Sequence, residues 1–153
     1  MSTGRAFIPL INELRTLEAC GVLRHAVETA RPYLDARTFP LWKRVERLAD
    51  AGKEREASLE RAMIEREWPV DSLTFSSEVS FHHYSTVESL LPELRDHFEA
   101  CAARYEQCEN LAGGDTKLQL LLDEHRRSCL SALHEVDAIL GALPRVAATG
   151  YKP

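Results

Sequence analysis

The sequence predicts an all-α protein folded as an antiparallel four-helix bundle. Three features carry that expectation. Long stretches rich in Leu, Ala, Glu and Arg repeat their apolar residues at spacings of three and four, the period of one helix face. No run alternates apolar and polar residues as a half-buried strand does. Two of the periodic stretches flank Gly113–Gly114, a tight turn suited to antiparallel neighbours.

The first helix is expected from about Ile8 to Ala30. Pro9 then falls in its first turn, where a missing amide hydrogen costs little, and Pro32 stops it. Leu10, Leu14, Leu17 and Gly21 mark its inner face, and His25 and Glu28 stand three apart, able to approach each other. The second helix is expected from Thr38 to Trp68, ending before Pro69, with Leu41, Val45, Leu48, Leu59 and Met63 as its stripe. Gly52 inside it carries an entropic cost, so it either relieves crowding or marks an irregularity.

The stretch WPVDSLTFSSEVSFHHYSTVE reads as a connection, held down by Phe75, Val79, Phe81 and Tyr84. Ser85 followed by Glu88 has capping-box spacing, which starts the third helix there and puts a bend at Pro92; a start at Pro92 is the alternative. Val87, Leu91, Leu94, Phe98, Cys101, Tyr105, Cys108 and Ala112 form its face. After the glycine turn, Asp115 can cap a fourth helix whose face is Leu118, Leu122, His125, Cys129, Ala132, Val136, Ile139 and Leu143. Residues 144–153 read as an irregular tail. At 153 residues the chain forms one domain, 1–153, with its bundle at about 8–143.

A net charge of -5 gives no electrostatic reason to expect nucleic acid or an anionic membrane. No window has the apolar length to cross a bilayer and the first residues do not resemble a signal peptide, so a cytoplasmic location is expected. The four cysteines contain no CxxC and are expected to be reduced thiols.

Polar residues interrupt the seam between the last two helices. A hairpin turning at Gly113–Gly114 sets His125 beside Cys101 and Cys129 nearer Phe98. His97 and Cys101 are four apart, as are His125 and Cys129, so two thiolates and two imidazoles could satisfy tetrahedral zinc. The competing reading makes the cysteines small core residues and centres a hydrogen-bonded layer on His125, with Tyr105 and acids of the first two helices as partners. The sequence favours that structural reading. Glu18, His25, Glu54 and Glu56 lie toward the middle of the first two helices and are further candidate ligands for iron, manganese or zinc. Dinuclear bundles repeat Glu-x-x-His; here Glu54 leads to Ala57, Glu124 leads to Arg127, and His25-x-x-Glu28 has the reverse order.

LADAGKEREASLERAMIEREWPVD resembles the second helix of the ferritin-like superfamily, and DEHRRSCLSALHEVDAIL resembles its fourth. The resemblance covers about residues 8 to 143. It implies a bundle with a di-iron or di-manganese centre for oxidation or iron storage, and Ala57 and Arg127 depart from that centre's pattern. Hemerythrin-like bundles are a second comparison through His82, His83, His97, His125 and His134, without their H-x-x-x-H and H-x-x-x-E spacings. Nucleotide-binding, serine-hydrolase and zinc-protease motifs do not occur.

Phe81, His82, His83 and Tyr84 form a candidate small-ligand site on the connection. The expected function is a non-enzymatic bundle that binds a protein partner or a small ligand. The alternative is a ferritin-like di-metal oxidoreductase or metal-binding protein. A homodimer is a candidate assembly, because pairing could bury remaining apolar surface.

Overall fold

A computed structural model describes residues 2–73 and 86–143, with side chains from Ala6 onward. Among the described residues five helices supply four arms: α1 (Ser2–Cys20) and α2 (Val22–Glu28) where one helix was expected, then α3 (Phe39–Glu65), α4 (Val87–Leu111) and α5 (Thr116–Ala142). The chain is an antiparallel helical bundle. Among the described residues the one strand-like pairing is an isolated bridge between Tyr33 and Thr86.

The sequence explains most of the boundaries. Asp115 caps α5, its side chain accepting from the Leu118 amide, and Gly114 takes the left-handed φ of 94° that the turn before it needs. Thr86, one residue beyond the expected Ser85, caps α4 in a reciprocal box with Ser89. Pro92 lies inside α4, and Pro9 lies inside α1, which begins at Ser2. Pro9 is exposed there, so the carbonyl that loses its helical donor can turn to water.

Gly21 splits the first arm at a point where neighbours leave no room for a side chain. A Cβ at this position would lie 2.5 Å from the Leu17 carbonyl oxygen and 2.8 Å from Cε1 of His97 on α4. Only a residue without a side chain lets the His97 ring approach so closely.

The α4–α5 hairpin is set nearly one helical turn away from the expected register. His125 packs edge-on against Tyr105 rather than lying beside Cys101, and Cys129 meets Cys101 rather than Phe98. Side chains lean toward the N-terminus of their own helix. On α4 that direction leads away from the turn and on α5 toward it, so meeting partners sit closer to the turn on α4 than on α5.

The core falls into two apolar clusters. One gathers Phe7, Ile11, Leu14, Leu59, Met63, Tyr105, Leu118 and Leu122. The other gathers Leu23, Trp42, Val45, Leu90, Leu94, Phe98, Val136 and Ile139. Between them a layer of buried polar side chains crosses the bundle.

Candidate functional site

Glu18 and Arg55 form the middle of that layer. Glu18 follows Ile11 and Leu14 along the inner face of α1, and Arg55 lies between Gly52 and Leu59 on the inner face of α3. Both are almost fully buried, at 2% and 4% exposure. Arg55 donates from Nε to Oε2 of Glu18 and from Nη2 to Oε1 at 3.0 Å, while its Nη1 donates to Ser128 Oγ on α5 at 3.0 Å. Burial opposes the guanidinium's charge, yet its hydrogen bonds to Glu18 and that carboxylate's charge override it and raise the Arg55 pKa well above its ordinary value.

Three groups of α4 complete the layer. Tyr105 Oη donates to Glu18 Oε2 at 2.8 Å, and the Cys101 thiol reaches Oε1 at 3.8 Å. His97 Nε2 lies 3.7 Å from the Cys101 sulfur, one helical turn away. Burial depresses the His97 pKa to about 4, with Glu18 partly opposing it, so the ring is neutral at pH 7. The adjoining Cys129 thiol and burial push the Cys101 pKa well up. Burial, reinforced by the Glu18 charge, raises that of Tyr105.

Ligand atoms of Glu18, His97 and Cys101 all lie within 4.8 Å of one another, and all three residues are buried. This is the one group of metal-ligand type that converges so closely among the described residues. His97 and Cys101 were legible from their spacing, and Glu18 from its place near the middle of its helix. The remaining candidates are not in this group. Cys129 flanks Cys101 from α5. His125 packs edge-on against Tyr105 at 5.5 Å with its buried Nδ1 lacking a partner, so the hydrogen-bonded layer centres on Glu18 instead of on His125.

His25 is buried on α2, and Glu28 is engaged by Arg24 and Lys53. Glu54 is exposed, and Glu56 pairs with Arg15 at 3.1 Å. The exposed His134 adds nothing to the cluster. Phe81, His82, His83 and Tyr84 lie outside the described residues. The residue that sequence reasoning missed is Arg55, although the spacing from Gly52 through Arg55 to Leu59 placed it on the inner stripe.

A groove of about 320 Å³ between α3 and α5 reaches this layer from the surface. Leu48, Ala51, Ser131 and Glu135 line it, with Arg55 and Ser128 at the layer's edge.

No family profile and no curated protein matches the chain. A solved structure does: a ferritin-like, diiron-carboxylate protein from Bacillus anthracis str. Ames. It is 16% identical over 92% of this chain and 99% of that one, with a TM-score of 0.76. The fold is the ferritin-like one.

The residues do not fit a dinuclear iron centre of the carboxylate kind. Such a centre draws carboxylates from all four helices. Glu18 is the single buried acid among the described residues, and the inner position facing it on α3 carries a permanent cation.

Proposed function

We propose that this protein is a metal-binding bundle that holds one transition-metal ion at the Glu18–His97–Cys101 cluster. The convergence of an oxygen, a nitrogen and a sulfur donor within 4.8 Å carries the reading. Imidazole and thiolate together suit zinc and the late first-row metals better than magnesium or calcium. Neutral His97 presents a lone pair without first losing a proton, and Cys101 releases its proton when the ion binds. The ferritin-like fold supports the reading, since bundles of this architecture build metal sites from side chains on facing helices.

Expecting a partner- or ligand-binding protein rested on the missing Glu-x-x-His repeats. Those repeats are missing, but their absence argues against two metals and says nothing against one. Full burial of the three donors favours retention of an ion over exposing it to a substrate.

The test is anaerobic titration of purified protein with copper(I), zinc(II) and iron(II), each against a chromophoric competitor. One equivalent of at least one ion should bind, and His97→Ala and Cys101→Ala should both abolish that binding while far-ultraviolet dichroism stays helical. Absence of binding, or binding that survives both substitutions, would overturn the proposal.

A further inference from the structure

We propose that the outward face of α5 pairs with the same face of a second copy of this chain, the two helices running antiparallel across a two-fold axis at the level of His125. The face follows from the helix period. Positions 116, 120, 123, 127, 130 and 134 alternate spacings of four and three, and they lie opposite the buried stripe that runs from Leu118 to Ile139. They carry Thr116, Leu120, Asp123, Arg127, Leu130 and His134. Leu120 is 66% exposed and Leu130 38%, and between them Asp123 forms an ion pair with Arg127 at 2.9 Å. A single exposed leucine is ordinary. The order of residues along this face is not.

From Leu120 to Leu130 the face presents leucine, an acid, a base and leucine. Turned end for end on itself, it sets Leu120 of one copy against Leu130 of the other and Asp123 against Arg127. Each contact then occurs twice, as a two-fold axis requires. Because the seam repeats every seven residues, the pairing extends over residues 116–134, about 27 Å of helix. Charge selects this alignment. Parallel pairing would put Asp123 on Asp123 and Arg127 on Arg127. Sliding the antiparallel pair by one repeat in either direction would put Leu120 against Asp123 or Asp137.

The surface around Leu120 has the relief that helix packing uses. Leu120 stands as a ridge between two grooves, one of about 320 Å³ against α3 and one of about 310 Å³ against α4. Ridges of one helix seat in such grooves of another. The Asp123–Arg127 pairs of the two copies meet across the axis as a network of alternating charges, which holds better than isolated surface pairs. Glu124 and Arg126 flank the seam and approach their own copies. Glu124 is exposed and can turn to water, and Arg126 is neutralised by Glu109 and Asp123. One helix face from each chain makes a small interface, so the dimer is weak and forms in the micromolar range.

Sedimentation equilibrium on the full chain tests this, with far-ultraviolet dichroism to show that each variant keeps its helices. The wild type should move from its 17.3 kDa monomer toward twice that mass as concentration rises through the micromolar range. Leu120→Lys puts a charge at the exposed ridge and should weaken dimerisation by about tenfold or more. Asp123→Arg and Arg127→Asp each set like charges across the axis, and each alone should stay monomeric where the wild type pairs. Mixed in equal amounts, these two variants should form a heterodimer, because both positions then carry Arg in one chain and Asp in the other. A wild type that stays monomeric throughout overturns the proposal. A dimer that survives Leu120→Lys and both charge reversals uses another face, and it overturns the proposal too. Loss of the dimer in both single reversals without recovery in their mixture contradicts the antiparallel pairing and overturns it equally.

Discussion

Glu18 and Arg55 bury opposite charges between two apolar clusters, and each depends on the other for its place. Removing one partner of such a pair costs roughly 3–5 kcal/mol, whereas removing both with groups of similar volume costs far less. Arg55→Met should therefore lower the unfolding free energy by that amount in denaturant melts, and Glu18→Gln/Arg55→Met should recover most of it. Additive losses would show that the two side chains are not coupled. Gly21 and Gly52 offer a contrast at the same scale. Gly21→Ala forces a Cβ against the Leu17 carbonyl oxygen and the His97 ring, and should cost on the order of 1–3 kcal/mol. At Gly52 a Cβ would meet Arg55 Nη2 at an ordinary 3.5 Å, so Gly52→Ala should be neutral or stabilise by up to about 1 kcal/mol. Equal losses at both positions would contradict the packing described.

His97 makes the metal-free protein sensitive to acid. Its folded pKa of about 4 lies below the ordinary 6.5, so the unfolded chain takes up the proton first. Stability is complete above pH 6.5 and falls as pH drops toward 4, by on the order of 3 kcal/mol for this ring. Burial lowers the His125 pKa as well, which adds to the same slope. Unfolding free energies at pH 7 and 5 should differ in the wild type and differ less in His97→Gln. A slope unchanged by that substitution would mean that this ring is not the group responsible. The i, i+4 spacing made the His97–Cys101 pair legible in the sequence. Arg55 was not, because an arginine on a charged helix is read as solvated surface unless its partner is known, and Glu18 comes from another helix.

At the scale of the elements, Asp115 does two jobs. It caps α5 and holds Arg66 from the end of α3 through both carboxylate oxygens. Those hydrogen bonds, Arg66's first, hold its pKa below the ordinary 3.8, so this contribution is present above that pH and lost as acid protonates the carboxyl. Asp115→Ala should cost about 1–2 kcal/mol in chemical unfolding at neutral pH; a change within error would show that the cap is dispensable. The turn and its cap could be read directly, since Gly and Asp act through local backbone chemistry. The need for glycine at position 21 could not, because one of the groups that crowd it is a ring on α4. The hairpin register was missed by nearly a turn because counting from the turn ignores the lean of side chains along each helix.

For the whole molecule, the helix-period pattern sufficed for the fold, which the likeness to a ferritin-like structure bears out. Among the described residues no helix is long and apolar enough to cross a membrane. The site was harder to read, because the familiar dinuclear spacings are absent and the cluster that replaces them unites α1 with two residues of α4. X-ray absorption at the metal edge of the loaded protein tests the central claim most directly. The account predicts a single absorber with one sulfur neighbour at about 2.3 Å, oxygen and nitrogen neighbours at about 2.0–2.2 Å, the nitrogen carrying the outer-shell pattern of an imidazole, and no metal–metal vector. A metal–metal vector, or a shell made only of oxygen, would contradict it.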